Sequence, residues 1–218
     1  MQAKEIYDIL RAGGLSRAGA LGMLGNMMAE SSLRPNIAQR GMTKLSDEAY
    51  TKAADDGTIN FVDDGVGYGL CQWTFYTRKR ELLDYAKSYD VSVGDGQMQV
   101  EFCLLELREF YPNVFHQLCE STSIDGCSDV VCTQYERPAV LNLEARRRFA
   151  HQFEKEIPEQ TYTPPIKEPV SATFPPDPTV LAFQLWLCYN GYTVECNGYK
   201  SKGFFDTLDQ FVADMKKC

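Results

Sequence analysis

Apolar side chains recur three and four positions apart along most of the chain before its proline-rich stretch, which is the period of amphipathic helices. Ile6, Ile9 and Leu10 share one face of a first helix, and Ser16 is a favourable N-cap for a second over residues 17–29. The helical period returns in five later segments, residues 75–89, 96–110, 114–119, 124–135 and 143–156. The pattern predicts a mainly helical domain.

Residues 34–69 interrupt this period. Glycine, aspartate and asparagine punctuate the stretch, as in DDGTINFVDDGVGYG, and short β-branched pieces such as residues 58–62 lie between them. We expect a loop region with a small β-hairpin there. The predicted fold class is therefore mainly α, of the α+β kind in which a small β region is attached to a helical domain.

Prolines divide the chain towards its C-terminal end. Residues 158–178, PEQTYTPPIKEPVSATFPPDP, contain seven prolines and no helical period, as in an extended, semi-rigid linker. The linker separates a domain of residues 1–157 from a small module of residues 179–218, whose apolar pattern predicts two helices. Two domains of unequal size are therefore expected.

The charge balance limits the possible partners. With 22 Lys and Arg against 30 Asp and Glu, the formal charge of −8 disfavours a protein that binds nucleic acid through a basic surface. We therefore interpret the basic run at residues 146–148 as a solvated helix face. No window approaches the roughly 20 uninterrupted apolar residues of a membrane span, and we recognise no secretory leader at the N-terminus. A neutral or polymeric substrate fits this composition better.

The chain contains eight cysteines and only two histidines, His116 and His151. The even number of cysteines permits full pairing into disulfides, although spacing alone does not define the pairs. Because the sequence lacks a Cys-x-x-Cys pair and is poor in histidine, a zinc site has little support. We expect neither a metal nor another cofactor.

A carboxylate stands where the second helix is expected to end. In GNMMAESSLRPN, Glu30 follows an apolar run and precedes a break at a proline. The negative end of the helix dipole and apolar neighbours such as Met27 disfavour the charged carboxylate, whereas a guanidinium folding back from Arg34 would favour it. The ordinary alternative is a solvated glutamate at a helix end. A carboxyl group that keeps its proton here would serve as a general acid.

A second stretch, NFVDDGVGYGLCQWT, combines carboxylates with aromatic and amide side chains. Asp63 and Asp64 precede a glycine-rich turn, which is followed by Tyr68, Gln72 and Trp73. Adjacent carboxylates in a turn are usually solvated turn residues. Aromatic faces beside an amide, however, supply the stacking and hydrogen bonds that a sugar ring needs.

These stretches and a third, in the order GLSRAGALGMLGNMMAESSLRPN, YGLCQWTFYTRKRELLDYAKS and YERPA, resemble the phage tail lysozyme family. The family is a branch of the lysozyme-like superfamily, which includes goose-type lysozymes and lytic transglycosylases, and the resemblance extends over about residues 4–157. It implies a lysozyme-like fold with Glu30 as the general acid. It also implies that the substrate is held by Tyr68, Gln72, Trp73, Tyr135 and Glu136.

The resemblance implies a bacteriolytic glycoside hydrolase that acts on the peptidoglycan of the bacterial cell wall, as a phage endolysin or a tail-associated lysin. Without a recognised leader, such a protein would reach the wall through another protein's pore or with the virion. The bond expected to be cleaved is the β-1,4 bond between N-acetylmuramic acid and N-acetylglucosamine.

The second carboxylate departs from the hen-type lysozyme pattern, in which an aspartate directly precedes a similar Tyr-Gly turn; Gly67 stands at that place here. We expect Asp64 to activate a water on the opposite face of the sugar, with Asp63 as the alternative. If neither reaches, the substrate's own N-acetyl or 6-hydroxyl group would take over. The second of these routes would make the protein a lytic transglycosylase that releases an anhydro product.

Residues 179–218 resemble three-helix peptidoglycan-binding modules in the stretch VLAFQLWLCYNGY, at Ala182, Gln184, Leu187, Gly191 and Tyr192. The usual Asp-Gly-x-Phe-Gly turn is altered here to Asn-Gly-Tyr. The resemblance implies a wall-binding role, which would raise the effective concentration of substrate at the catalytic domain. The alternative is a helical hairpin that only stabilises the main domain.

Two other classes of protein compete with this hypothesis. A cysteine peptidase or amidase would use Cys71 as nucleophile with His116 as base, but a thiolate needs a base that a third group orients. We therefore interpret Cys71 as a core residue or a disulfide partner. A catalytically inactive wall-binding or tail structural protein would have no evident need for Glu30, Gln72 and Tyr135 together.

Overall fold

The computed structural model describes residues 1–158, which form eight α-helices and one π-helical turn. The α-helices are α1 (Ala3–Ala12), α2 (Arg17–Ser31), α3 (Asp47–Asp55), α4 (Tyr76–Ser88), α5 (Gly96–Phe110), α6 (Pro112–Glu120), α7 (Ile124–Val130) and α8 (Leu143–Glu156). The mainly α fold class is thus confirmed. The predicted linker beyond residue 158 and the predicted C-terminal module lie outside the described residues.

Helix α2 lies at the centre of the domain, in contact with α1, α6, α7 and α8. Its residues are buried on nearly every side, so glycines determine how closely the neighbouring helices approach. A Cβ at Gly25 would lie 2.5 Å from the carbonyl oxygen of Arg146 in α8, and one at Gly22 would lie 2.8 Å from the backbone of Cys127 in α7. Only glycine permits these contacts between main chains.

Both ends of α2 are fixed by side chains. The hydroxyl of Ser16 accepts a hydrogen bond from the amide of Gly19, which confirms the predicted N-cap. At the other end, the hydroxyl of Ser31 lies 2.9 Å from the carbonyl oxygen of Met27 and 3.0 Å from that of Leu70. The C-terminal end of α2 is therefore held against the loop that contains GLCQW.

Helix α3 forms inside the stretch for which the sequence predicted a loop region with a small β-hairpin and no helix. Ser46 caps it by accepting a hydrogen bond from the amide of Ala49, and its first turn contains two acidic residues that suit the helix dipole. Only Tyr50 and Ala54 are buried along its length. So short a buried stripe leaves almost no helical period in the sequence, which explains why the helix was missed.

The predicted β region is smaller than expected, and its pairing involves other residues than the predicted 58–62. Residues 58–62 form turns and no strand. Within the described residues, β pairing consists of two isolated antiparallel bridges, Ala38 with Tyr68 and Tyr68 with Trp73. The backbone amides of Tyr68 and Trp73 each donate to the other's carbonyl, at 3.1 and 2.9 Å, which closes a tight loop around GLCQ.

The segment predicted as one helix over residues 124–135 changes character partway. Its first part is α7, and Val131–Glu136 continues as a π-helical turn that ends at Arg137 in the left-handed region, with φ 51°. Such π-helical turns occur frequently at functional sites, because the wider turn redirects the side chains it carries. This one carries Tyr135 and Glu136.

Candidate active site

A cleft of about 770 Å³ opens at the C-terminal end of α2, within the range usual for ligand sites. Its wall is built from the end of α2, the loop after it, the GLCQW loop with the start of α4, and the end of the π-helical turn. The side chains on this wall with the most evident chemistry are Glu30, Arg40, Gln72, Phe75, Arg78 and Glu136.

Glu30 reaches the cleft from the last turn of α2 and is 17% exposed. The guanidinium of Arg146, from α8, forms an ion pair with its carboxylate. The same guanidinium donates to the side-chain oxygen of Asn26 at 2.9 Å and to the carbonyl oxygen of Leu141 at 3.0 Å. Arg146 therefore holds the side chain of Glu30 from a fixed position.

The arginine that reaches Glu30 differs from the one considered in the sequence, since Arg34 pairs with Asp47 instead. The interpretation of residues 146–148 as a solvated face is wrong for Arg146, which is buried, whereas Arg148 is exposed. Arg146 shares the buried face of α8 with Ala150 and Phe153. The sequence signal for the burial of Arg146 is its position on the apolar face of α8.

Glu136 lines the same cleft from the end of the π-helical turn. Its side chain is partly exposed as a whole, but its Oε1 atom is shielded from solvent and has no hydrogen-bond partner. Burial, and then the nearby negative charge of Glu30, raise the pKa of Glu136 to about 8, against the opposing charges of Arg78 and Arg146. The cleft therefore contains one carboxyl group whose burial favours its protonated form and one that forms an ion pair with arginine.

Glu106 of α5 joins several parts of the cleft from inside the core. It is buried and accepts hydrogen bonds from the indole nitrogen of Trp73 at 3.0 Å and from the hydroxyl of Tyr135 at 2.6 Å. Arg78 donates to both of its oxygens, at 2.5 and 2.7 Å. Glu106 thus positions Arg78 on the cleft wall and holds the turn that precedes Glu136. Glu106 was not among the residues predicted from the sequence, although a glutamate between Cys103 and Leu107 interrupts an apolar face.

The structure brings Glu30, Gln72 and Glu136 together on the cleft wall. Tyr68, Trp73 and Tyr135, also predicted from the sequence to hold the substrate, are each no more than 1% exposed and do not line this cleft. Trp73 and Tyr135 bind Glu106, and the hydroxyl of Tyr68 lies 2.6 Å from that of Thr51. These three aromatic residues support the cleft from behind.

Asp64 lies away from the cleft wall and has a full set of partners. Its carboxylate accepts hydrogen bonds from the ammonium of Lys79 at 2.5 Å, the hydroxyl of Tyr50 at 2.7 Å and the amide of Val66 at 3.0 Å. Lys79 is fully buried, and burial lowers its pKa while the contact with Asp64 opposes that shift. Asp63 is exposed on the same loop and is likewise outside the cleft wall. The contacts of Asp64 favour a structural role.

The geometry gives no support to a cysteine nucleophile. The thiol of Cys71 lies on the cleft wall, 3.9 Å from that of Cys103, and burial raises its pKa, which disfavours the thiolate. His116 pairs with Glu120 at 3.1 Å and is not part of the cleft. All five cysteines of the described residues are free thiols.

Two further properties concern residues 1–158 alone. They contain no group of three or more His, Cys, Asp or Glu side chains arranged to hold a metal ion. Of the helices in this part of the chain, none is both long and apolar enough to cross a membrane.

A helical domain with two carboxyl groups in unlike environments on the wall of one ligand-sized cleft has the kind of groups that glycosidase chemistry uses. The phage tail lysozyme family matches residues 1–156, and the chain belongs to this family. The resemblance stated from the sequence is thereby confirmed, and it supports a lysozyme-like function directed at peptidoglycan. A search among curated proteins gives no match.

Proposed function

We propose that this protein is an N-acetylmuramidase, which hydrolyses the β-1,4 bond between N-acetylmuramic acid and N-acetylglucosamine in peptidoglycan. The observation that carries the proposal is the pair formed by Glu30 and Glu136, which line one cleft in unlike environments: Glu30 forms an ion pair with Arg146, and burial raises the pKa of Glu136 to about 8. A glycosidase needs a proton donor for the leaving oxygen and a second group that stabilises the oxocarbenium-like sugar.

In this proposal Glu30 delivers the proton. It stands on the cleft wall, close enough to Glu136 for its negative charge to contribute to the raised pKa of that residue. Glu136 holds the proton of the pair at rest, and Glu30 passes it to the leaving oxygen when the glycan fills the cleft. The attacking water gives its hydroxyl to the anomeric carbon and returns a proton to the pair, so that the charge is restored.

Gln72 is the proposed polar contact to the substrate. Its side-chain nitrogen donates to the carbonyl oxygens of Ile37 at 3.3 Å and Gly69 at 3.0 Å, within its own wall of the cleft. The amide oxygen is therefore the part of this side chain that accepts a hydrogen bond from a sugar hydroxyl or N-acetyl group. The position of this amide oxygen is fixed because two backbone carbonyl groups hold the nitrogen of the same side chain.

A lytic transglycosylase is a second candidate, and one observation favours it. Asp64, the residue expected to activate water, is held outside the cleft wall by Lys79 and Tyr50. Without a separate base for water, the 6-hydroxyl group of the muramic acid would attack instead and yield a 1,6-anhydro end. The two candidates share Glu30 as the acid and differ in the product.

Mass spectrometry of the fragments released from purified peptidoglycan tests both candidates. Reducing muramic acid ends from the wild type, absent with Glu30→Gln, support the muramidase, and 1,6-anhydro ends support the transglycosylase. Free peptides with intact glycan would contradict both. The proposed role as a phage endolysin or tail-associated lysin rests on the sequence resemblance. Wall binding by residues 179–218 rests on it too, and sedimentation with intact cell walls tests that binding.

A further inference from the structure

Phe75 is an exposed aromatic residue on the wall of the cleft. Its side chain is 62% exposed, although most large apolar residues of the domain are buried. It was not among the residues predicted to hold the substrate, and the aromatic residues that were predicted are buried behind the wall. An exposed ring in a cleft lined mostly by polar side chains leaves apolar surface in water, which a ligand would cover.

The position of this ring is well defined by its neighbours. Phe75 is the N-cap residue of α4, and its carbonyl oxygen accepts from the amide of Lys79 at 3.0 Å. Trp73 on one side and Lys79 on the other are fully buried anchors. The ring also packs against that of Tyr76, with centroids 4.9 Å apart and planes tilted by 44°. The backbone of Phe75 is thus fixed at the cleft wall, and the contact with Tyr76 restricts its ring, which lowers the conformational entropy lost when a ligand covers it.

We propose that Phe75 is a sugar-stacking residue that binds one pyranose ring of the glycan strand next to the bond that is cleaved. This inference rests on the proposed function, because the same continuous cleft contains Glu30 and Glu136. An N-acetylated pyranose presents apolar C–H faces and an acetyl methyl group to an aromatic ring, and hydroxyl groups at its edge. Gln72 and Arg40 on the same wall are within the cleft to receive those polar groups.

The test uses the full chain with Glu30→Gln, so that the ligand is bound without being cleaved. Calorimetric titration with a soluble tetrasaccharide of alternating N-acetylglucosamine and N-acetylmuramic acid gives the affinity. Phe75→Ala should weaken binding about tenfold, as expected for loss of a central aromatic contact, and Phe75→Trp should preserve it. Phe110→Ala is the matched control, because Phe110 is 60% exposed and lies outside this cleft.

Equal affinity of Phe75→Ala and its parent would overturn the stacking role while leaving the proposed function intact. A parent chain that does not bind the tetrasaccharide would overturn the stacking role together with the glycan site. If Phe75→Ala and Phe110→Ala weakened binding equally, the effect would be a general loss of apolar surface, and the assignment would be wrong. In the active chain, Phe75→Ala should raise KM for glycan more than it lowers kcat.

Discussion

Two clusters of side chains in this domain each contain carboxyl groups in a mostly buried setting. They differ in how completely those groups are paired. At Asp64, an ammonium, a phenol and a backbone amide satisfy the carboxylate, which does not line the cleft that contains Glu30. In the cleft, Arg146 satisfies Glu30, but Glu136 keeps a shielded oxygen without a partner and a raised pKa. A fully paired cluster stabilises a fold, whereas an incompletely paired one that faces a cleft holds groups ready for chemistry.

The largest expected effect is the loss of turnover on substitution of Glu30. Glu30→Gln removes the transferable proton but keeps an acceptor for Arg146, so turnover should fall about a hundred- to ten-thousandfold while the fold is retained. Fragment release from peptidoglycan measures the activity, and thermal unfolding followed by circular dichroism measures the fold. Unchanged lysis by a folded variant would remove Glu30 from the mechanism.

The opposite result is expected at Asp64. Asp64→Asn leaves the buried ammonium of Lys79 without its countercharge, and breaking a buried ion pair costs about 3 kcal/mol in the free energy of unfolding. Turnover per folded molecule should be unchanged. Urea unfolding and the rate on peptidoglycan separate the two quantities, and Asp63→Asn, at the exposed neighbouring position, is the control. A stable Asp64→Asn variant with lost turnover would make Asp64 the water-activating group and would reverse the comparison.

Stability should depend on pH through Glu136. Its pKa is about 8 in the folded chain and near its ordinary value of 4.5 in the unfolded chain, so between these values the folded state binds the extra proton. The free energy of unfolding should therefore fall as the pH rises from about 4.5 to 8, by about 1–3 kcal/mol after allowance for water in the cleft. Glu136→Gln should remove this slope. Denaturation at several pH values measures it, and parallel profiles for both proteins would contradict the assignment.

The smallest expected effect concerns the buried aromatic residues. Tyr68→Phe deletes the hydroxyl that lies 2.6 Å from Thr51 and should lower the free energy of unfolding by about 1 kcal/mol. Since Tyr68 supports the cleft from behind, KM for glycan should not change. A raised KM at unchanged stability would show that Tyr68 contacts the substrate and is not part of the scaffold.

Local signals explain what could be predicted from the sequence. The N-cap at Ser16, the period of α2 and the position of Glu30 at its end depend on residues close together in the chain, and each is found in the structure. Helix α3 escaped prediction because so little of it is buried. An element whose signal lies within a few residues of the chain can therefore be predicted from the sequence.

The partners of the site residues depend instead on long-range contacts. Arg146 is 116 positions from Glu30, and its contact arises only when α8 packs on α2. Trp73 and Phe75 have similar aromatic side chains two positions apart, yet one is buried against Glu106 and the other is open to the cleft. Which of two such rings is open to the cleft is decided by the tight loop and the start of α4, and composition cannot distinguish them.

The glycine contact between α2 and α8 bears on how this enzyme can evolve. Because Gly25 lets the two main chains touch, no side chain at that position separates the backbone that carries Glu30 from the backbone that carries Arg146. The cleft walls near Ile37 and Phe75 belong to other segments. Substitutions in those segments can therefore reshape the cleft while the close contact between α2 and α8 stays in place.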